Sequence, residues 1–445
     1  MSIGAGGEAA EGIANYRIGQ GGVVSSKPKK SSGRNARSLW LFLHRYIGLG
    51  LAAFLFLEGV TGSLLAFNAE IAIALDPGIA AKKPAPEAQA LEPAALLQYA
   101  EAAMPDARVG YFTPRLMDNQ VVLRMVWKRG DVVHAQEPDF LILDPWTGKE
   151  LGRRRFDEHW SGDFRRDFMP FIFMLHKNLA LGDWGAWFMG LVALAWTIDC
   201  FVAFYLTLPL KSRDFWRHWK TAWQIKHRAG IFRLNFDLHR ASGLWLWPML
   251  FIFAWSSVQL DAANIYRLTM NQFFASDPTE LMRTLYPPTP DVGPPKLDLI
   301  AAQARGRQLV EDIARAEGFH VQRPISMQYI GAVGRYNYSV LTDRAFPQDQ
   351  RLTVFFDSNS GVLAGRFQTS ATLPGDTISG WLSALHQIRD PVDYLVYRIF
   401  VCILGVVVAM LSATGVYIWW KKRRARSAHA HRPERSVFVK PIAAE

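Results

Sequence analysis

The sequence is poor in cysteine: it has two, Cys200 and Cys402, and both lie inside apolar runs. Two such thiols cannot form the disulfide framework on which many small secreted domains depend. There is also no Cys-x-x-Cys-His segment, the motif that attaches a c-type haem covalently. Both absences exclude whole classes of protein.

Charge is scarce as well, at 20% of residues, whereas 50% of the residues are hydrophobic. A chain this apolar is not a disordered chain. It is, however, too charged to lie entirely within a membrane. A mixture of membrane spans and water-exposed domains fits this composition best. A net charge of +11 is compatible with binding to nucleic acid or to a membrane surface, so the positions of the charged residues have to decide between these two partners.

Four apolar stretches are long enough to cross a bilayer, which needs about 20 residues in a helix. The predicted spans are residues 39–67, 184–208, 241–260 and 395–420. Each is expected to be one continuous transmembrane helix. The lipid bilayer is therefore the first predicted partner.

Lysine and arginine are concentrated in three segments that flank these spans. The segments are a basic N-terminal region at 1–38, a loop at 209–240 and a tail at 421–445. The positive-inside rule places all three, and both termini, in the cytoplasm. The long connections 68–183 and 261–394 then lie outside, in the periplasm if the membrane is a bacterial inner membrane. This topology explains the net charge, so nucleic acid is not a predicted partner.

The chain repeats itself. The pattern Leu-His-Arg-x-x-Gly-Leu occurs at 43–49 and 238–244, where the first and third spans begin. Each outside segment contains a β-rich run that ends in Asp-x-x-x-Gly, at 144–148 and 357–361, and each is followed by Leu-His, at 175–176 and 385–386. We therefore predict an α-helical membrane protein of two duplicated halves, each with an extracytoplasmic α+β domain.

Four histidines mark the ends of the spans. His44 and His239 belong to the cytoplasmic side, and His176 and His386 to the outer side. Imidazole is the ligand that suits a b-type haem, which needs one on each face. Because His44 and Phe67 are about 35 Å apart at ~1.5 Å per residue, two haems are expected. The alternatives are polar anchoring at helix ends and, for His239, competition from His227.

Two further pairs of charged residues are candidates for a functional role: Arg45 and Arg240 directly follow the cytoplasmic histidines, and Glu58 and Asp199 lie within the spans. Arg45 and Arg240 are candidates for binding haem propionates, with positive-inside anchoring as the alternative. Glu58 and Asp199 lie within apolar stretches, where a charge is costly unless it is paired. Either is a candidate for relaying protons or binding quinol, and an inter-helix hydrogen bond is the alternative.

The four-span plan, the Leu-His-Arg entry, Thr61-Gly62-Ser63 and the paired Asp-x-x-x-Gly domains resemble the PepSY-associated transmembrane proteins over residues 38–422. That family includes iron-regulated inner-membrane proteins and ferric-siderophore reductases of the ferrioxamine type. The resemblance implies two haems b and periplasmic reduction of ferric iron in a siderophore. By motif position it implies His44, His239, His176 and His386 as ligands.

The predicted function is therefore a dihaem transmembrane reductase. The sequence contains no nucleotide-binding Gly-x-Gly-x-x-Gly after a strand, so a membrane quinol or a separate cytoplasmic reductase is the expected electron donor. Outer aromatic and basic residues are candidates for facing the ferric chelate, with packing against the membrane surface as the alternative: Trp160, Phe164, Arg165, Arg166 and Trp381. The first alternative is a non-redox PepSY regulatory or peptide-binding protein. The second is a permease, which we expect to have more spans and broken helices.

Overall fold

The computed structural model describes residues 32–115, 119–127, 140–154, 162–210, 213–226, 228–276, 295–344, 350–367, 373–389 and 392–430. Its helices, in chain order from α1 to α12, are Ser32–Leu65, Asn68–Leu75, Pro93–Ala103, Phe164–Asn178, Gly182–Thr207, Phe215–Lys220, Ile231–Trp245, Trp247–Asp261, Ala263–Met270, Leu299–Glu317, Pro374–Gln387 and Leu395–Ala430. Its strands, from β1 to β8, are Ala107–Arg115, Gln120–Trp127, Phe140–Leu143, Glu150–Arg154, Val321–Ile330, Arg335–Thr342, Arg351–Asp357 and Leu363–Phe367.

Helices α1, α5 and α12 are each long and apolar enough to cross a membrane, and α7 and α8 pass the same test only as a pair. Consecutive members of this set run in opposite directions. Arg37 of α1, for example, donates to the carbonyl oxygens of Leu206 and Leu208 at the end of α5. We call the end of the bundle near Phe67 and Leu395 the sheet side, and the end near Arg37 the distal side.

The third span is not continuous, which corrects the prediction for 241–260. Helices α7 and α8 meet at Leu246 with a bend of 70°. The cause is Pro248, which lies in the first turn of α8, where a proline needs no hydrogen-bond partner but cannot continue a preceding helix. The indole of Trp247 donates to the carbonyl oxygen of Cys200 in α5 at 2.8 Å and holds the break in place. The expectation that the chain has no broken helix is therefore wrong.

Short helices precede two of the long ones: α4 comes before α5, and α11 before α12. Each ends at a residue with a side chain in the left-handed region, Leu179 at φ 55° and Ile388 at φ 50°. Such a conformation is unusual for Leu and Ile. It ends each helix abruptly, one turn after a histidine that the sequence singled out.

The segments outside the long helices form two four-stranded antiparallel sheets, in the orders β1-β2-β3-β4 and β5-β6-β7-β8. The Asp-x-x-x-Gly turns are confirmed between the last two strands of each sheet. The carboxylates of Asp144 and Asp357 accept hydrogen bonds from backbone amides two and three residues on. Gly148 and Gly361 then adopt φ 71° and 68°, which glycine does at no steric cost.

The two sheets do not form separate domains but share one hydrophobic core. Strand β1 lies beside β5, and α3 packs against α10. Buried side chains from both sheets, including Leu123, Leu141, Tyr338 and Phe356, belong to the same cluster. Burial also raises the pKa of Tyr336 to about 12. We call this joint body the sheet unit.

Helices α1 and α12 cross at two glycines. A Cβ atom added at Gly405 would lie 2.5 Å from the carbonyl oxygen of Gly59 and would overlap the hydroxyl of Ser63. That hydroxyl donates to the carbonyl oxygen of Cys402 at 2.9 Å. Small residues let helix backbones approach within a membrane, where packing contributes much of the association energy.

We predict that Gly405→Ala lowers the free energy of unfolding by about 1–3 kcal/mol, because the added methyl group forces the two helices apart. Thermal unfolding in detergent measures this. The control is Gly50→Ala, since a Cβ atom there meets nothing within 4 Å. The control should be neutral or slightly stabilising, and equal losses from both variants would contradict the crossing.

Candidate functional site

The four histidines form two pairs, one at each end of the bundle. The ring centres of His44 and His239 are 6.3 Å apart, with a 54° angle between the ring planes. Those of His176 and His386 are 6.4 Å apart, with an angle of 57°. The structure thus brings together the pairs that the sequence assigned to one layer. We call them the distal pair and the sheet-side pair; their role as ligands stays a prediction.

In the distal pair, each ring is held by a different helix. The Nδ1 atom of His44, on α1, lies 2.9 and 3.0 Å from the two carboxylate oxygens of Asp199 on α5. The Nδ1 atom of His239, on α7, lies 3.0 Å from the carbonyl oxygen of Leu411 and 3.1 Å from the hydroxyl of Thr414, both on α12.

In the sheet-side pair, the rings come from the two short helices. His176, in the last turn of α4, has its Nδ1 atom 2.9 Å from both the Glu58 carboxylate and the Thr61 hydroxyl of α1. His386, in the last turn of α11, has its Nδ1 atom 2.8 Å from the hydroxyl of Ser256 on α8. The ring of His386 also stacks on Phe253 at 5.1 Å.

These contacts indicate the tautomer of three rings. A carboxylate or a carbonyl oxygen accepts, so the Nδ1 atoms of His44, His176 and His239 donate. A neutral imidazole that donates from Nδ1 keeps a free electron pair on Nε2, so these three rings can offer Nε2 to a metal while Nδ1 is oriented by a neighbouring helix, the usual arrangement for ligand histidines. At His386 the Ser256 hydroxyl can donate or accept, so that contact orients the ring without fixing its tautomer.

Glycines leave room around the rings. A Cβ atom at Gly62 would lie 3.2 Å from Cε1 of His176, and one at Gly415 would lie 3.3 Å from Cε1 of His239. Gly62 and Gly415 each follow a threonine that contacts the same ring. At Gly48, one turn after His44, an added Cβ atom would meet nothing within 4 Å. The helices thus approach the rings closely on one side and leave open space on another.

Glu58 and Asp199 are both paired with histidines, so the inter-helix hydrogen bond is the reading that the geometry supports. Asp199 is only 8% exposed. The second oxygen of Glu58, Oε1, is buried and has no hydrogen-bond partner among the described residues. Their use as a proton relay or a quinol site stays a prediction that these contacts do not favour.

The two candidate propionate ligands differ. Arg240 already donates to the carboxylate of Asp237 at 2.9 Å and to the carbonyl oxygen of Thr221 at 2.7 Å. Arg45 is half-buried and makes no hydrogen bond or ion pair with the part of the chain that the structure describes. Arg45 is therefore the freer guanidinium beside the distal pair.

Asp237 was not singled out in the sequence, yet its side chain is fully buried. It accepts from Arg240 and, at 2.9 Å, from Arg233. It also lies 3.4 Å from the backbone amide of Lys226. Asp237 thus ties the loop before α7 to the helix that carries His239.

We predict that Asp237→Asn lowers the free energy of unfolding by about 3 kcal/mol, because it removes the negative charge and one of the two acceptor oxygens that Arg233 and Arg240 share. Unfolding in detergent measures the loss. Arg233→Gln is the matched control, since the Arg233 side chain is 42% exposed and should contribute less than about 1 kcal/mol. An Asn variant as stable as the parent would refute the structural role of Asp237.

The remaining candidates are dispersed. Phe164 is 52% exposed on α4, and Arg166 lies 3.7 Å from Asp76. Trp381 is half-buried on α11. Four residues lie outside the part of the chain that the structure describes: His134, His159, Trp160 and His227. The competition of His227 with His239 therefore stays a prediction.

The hydroxyl groups that orient the rings were not assigned from the sequence. Their signal is an interval: 17 residues separate His44 from Thr61, and 17 separate His239 from Ser256. Each hydroxyl then contacts the histidine of its own half at the other end of the bundle. The third hydroxyl, Thr414, precedes glycine as Thr61 does.

A family model described as the PepSY-associated TM region matches residues 41–422, most of the chain and all four histidines. No curated protein matches the chain significantly.

Proposed function

The chain belongs to the PepSY-associated transmembrane family, and from that premise we propose that it is a dihaem b reductase that moves electrons across a bacterial inner membrane. In this proposal the acceptor is ferric iron in a siderophore or another ferric chelate. The chain consists of two repeats of one plan, with both termini in the cytoplasm and the sheet unit in the periplasm.

The observation that carries the proposal is the spacing of the rings. A bond from a metal to an imidazole nitrogen is about 2.0–2.1 Å long, and the ring centre lies about 1.2 Å beyond that nitrogen. Two imidazoles on opposite sides of one metal ion therefore have centres about 6.4 Å apart, and the two pairs are at 6.3 and 6.4 Å. Packing of two rings against each other would not by itself require this ring-centre distance, nor the same distance at both ends of the bundle.

The donor set also fits a haem. A b-type haem would be held by two imidazoles of the protein, and each pair offers two. Facing helices of a bundle are a common place for such a site. Arg45, without a partner among the described residues, is suited to a propionate at the distal side.

When bound, each haem would accept and release one electron at its iron. The residues of the chain hold the site: the Nδ1 hydrogen bonds orient all four rings and set the tautomer of His44, His176 and His239. The distance between the distal pair and the sheet-side pair follows from α1, which reaches both. His44 lies on this helix, and Thr61, 17 residues later, contacts His176. At ~1.5 Å per residue, that is about 26 Å along α1.

Apolar packing fills the interior between the two pairs. Cys200, Leu250, Ala254, Leu404 and Val408 form one buried cluster. Such packing keeps water from the path and so separates the redox sites from the solvent that would lead protons across. The partners of the site follow from this arrangement: a quinol or a separate cytoplasmic reductase would deliver electrons at the distal side. One quinol gives two electrons and two protons and so reduces two ferric ions.

We predict that the purified protein is coloured and shows b-type α and β bands in a reduced-minus-oxidised spectrum, with two haems per chain. His44→Ala and His386→Ala should each remove about half of the haem, because each disrupts one pair. His320→Ala is the control, since this side chain is 89% exposed on the sheet unit and should leave the haem content unchanged. A colourless protein from haem-replete cells would refute the proposal.

Activity is tested separately in proteoliposomes that contain quinol. A ferric hydroxamate chelate is added on the side of the sheet unit, with a coloured trap for Fe(II). We expect Fe(II) to form with the parent chain and at less than a tenth of that rate with His44→Ala. Equal rates in both would contradict the electron path.

A further inference from the structure

The two halves of the chain support their histidine rings with unequal charge. The two histidines of the first half, His44 and His176, each have a carboxylate at Nδ1. The two histidines of the second half, His239 and His386, have only neutral oxygen atoms as the hydrogen-bond partners of Nδ1 among the described residues. Each pair therefore combines one ring of each kind.

The difference appears at equivalent positions. Glu58 and Phe253 each lie 14 residues after the histidine of the Leu-His-Arg pattern in their half. Glu58 reaches the imidazole of His176 with a charge, whereas Phe253 stacks on His386 and interacts with it through its backbone. The hydroxyls three residues on, Thr61 and Ser256, are alike in the two halves. At this position only the first half makes an anionic contact with the ring.

At the distal side the same contrast separates Asp199 from Thr414. Asp199 directs both oxygens at His44, whereas His239 contacts the Leu411 carbonyl and the Thr414 hydroxyl. Glu58 is costly where it lies, since one of its oxygens is buried without a partner among the described residues. A desolvated charge of this kind destabilises a fold unless something offsets it. A function in the redox state of the site would explain why the charge is kept.

We propose that Asp199 and Glu58 are positioning residues that lower the reduction potentials of the distal and sheet-side haems, respectively, by making the first-half imidazoles electron-rich. A carboxylate that accepts the Nδ1 hydrogen bond raises the basicity of the imidazole, and its charge also favours the more positive Fe(III) over Fe(II). The neutral partners of the second half do neither. A low potential at both sites suits the reduction of ferric chelates, whose hard oxygen ligands hold Fe(III) tightly. This inference rests on the proposed function.

The test is a redox titration of the purified holoprotein followed by absorption, with two midpoints fitted. Asp199→Asn should raise one midpoint and Glu58→Gln the other, because each amide keeps an oxygen acceptor and removes the charge. If the ratio of ferric to ferrous affinity falls about tenfold, within the range for second-sphere changes, the midpoint rises by about 59 mV. Ser256→Ala and Thr414→Val are matched controls that remove neutral partners, and they should shift the midpoints by less.

Each outcome decides the proposal. It is overturned if neither carboxylate variant moves a midpoint, if both move the same one, or if the neutral controls move them equally. Should Asp199→Asn or Glu58→Gln lose its haem, the charge-conserving Asp199→Glu or Glu58→Asp is titrated instead. A low midpoint retained there supports the proposal, and haem loss there too overturns it, because the residue would then be only structural. Failure of the proposed function gives a different result, a parent protein with no haem to titrate.

Discussion

The arrangement depends on the hydrogen bond that each of four imidazoles makes through Nδ1 to a neighbouring helix. In His44, His176 and His239 that bond leaves Nε2 free to bind a metal. In all four it requires the partner helix to lie beside the ring. His44 reaches α5 and His239 reaches α12, while His176 and His386 reach back to α1 and α8 from the short helices. Because the supports are on different helices, the two ring pairs form only when the whole bundle has assembled.

Other features of the fold follow from these bonds. The left-handed residues Leu179 and Ile388 end α4 and α11 just after their histidines, so both rings lie in the last turn of a helix against the bundle. The glycines of α1 and α12 let those helices pack closely at Gly59 and Gly405, at the level of the sheet-side pair, since Glu58 and Thr61 on either side of Gly59 contact His176. The sheet unit, with its single core, holds the two halves together on one side. Residues with an unusual backbone conformation or a small side chain thus occur where a ring is held against the bundle or where two helix backbones pack closely.

Much of this could be predicted from the sequence, because the evidence there was local or repeated. The apolar stretches, the Asp-x-x-x-Gly turns and the assignment of histidines to two ends depend on composition, turn chemistry and a repeated pattern. The partners of the charges could not be predicted in the same way. Glu58 and Asp199 were recognisable as costly in an apolar stretch, but which ring each contacts depends on helix rotation and packing, which no local pattern contains. The shared core of the two sheets is equally non-local. The break at Leu246 is different: Pro248 was visible, and a continuous span was the wrong reading of it.

The inequality between the halves bears on how the proposed electron path would acquire direction. Two identical halves would give each site two ligands with identical surroundings. Here the first half supplies carboxylate-backed rings from two different acids, an aspartate with both oxygens on His44 and a glutamate with one oxygen on His176. At the sheet-side pair the hydroxyl of Thr61 also contacts His176, and no hydroxyl contacts His44 among the described contacts. The two sites therefore differ in the number and geometry of the oxygens around the carboxylate-backed ring. In the proposed dihaem reductase, such a difference would give the two haems unequal potentials, which would favour electron transfer in one direction.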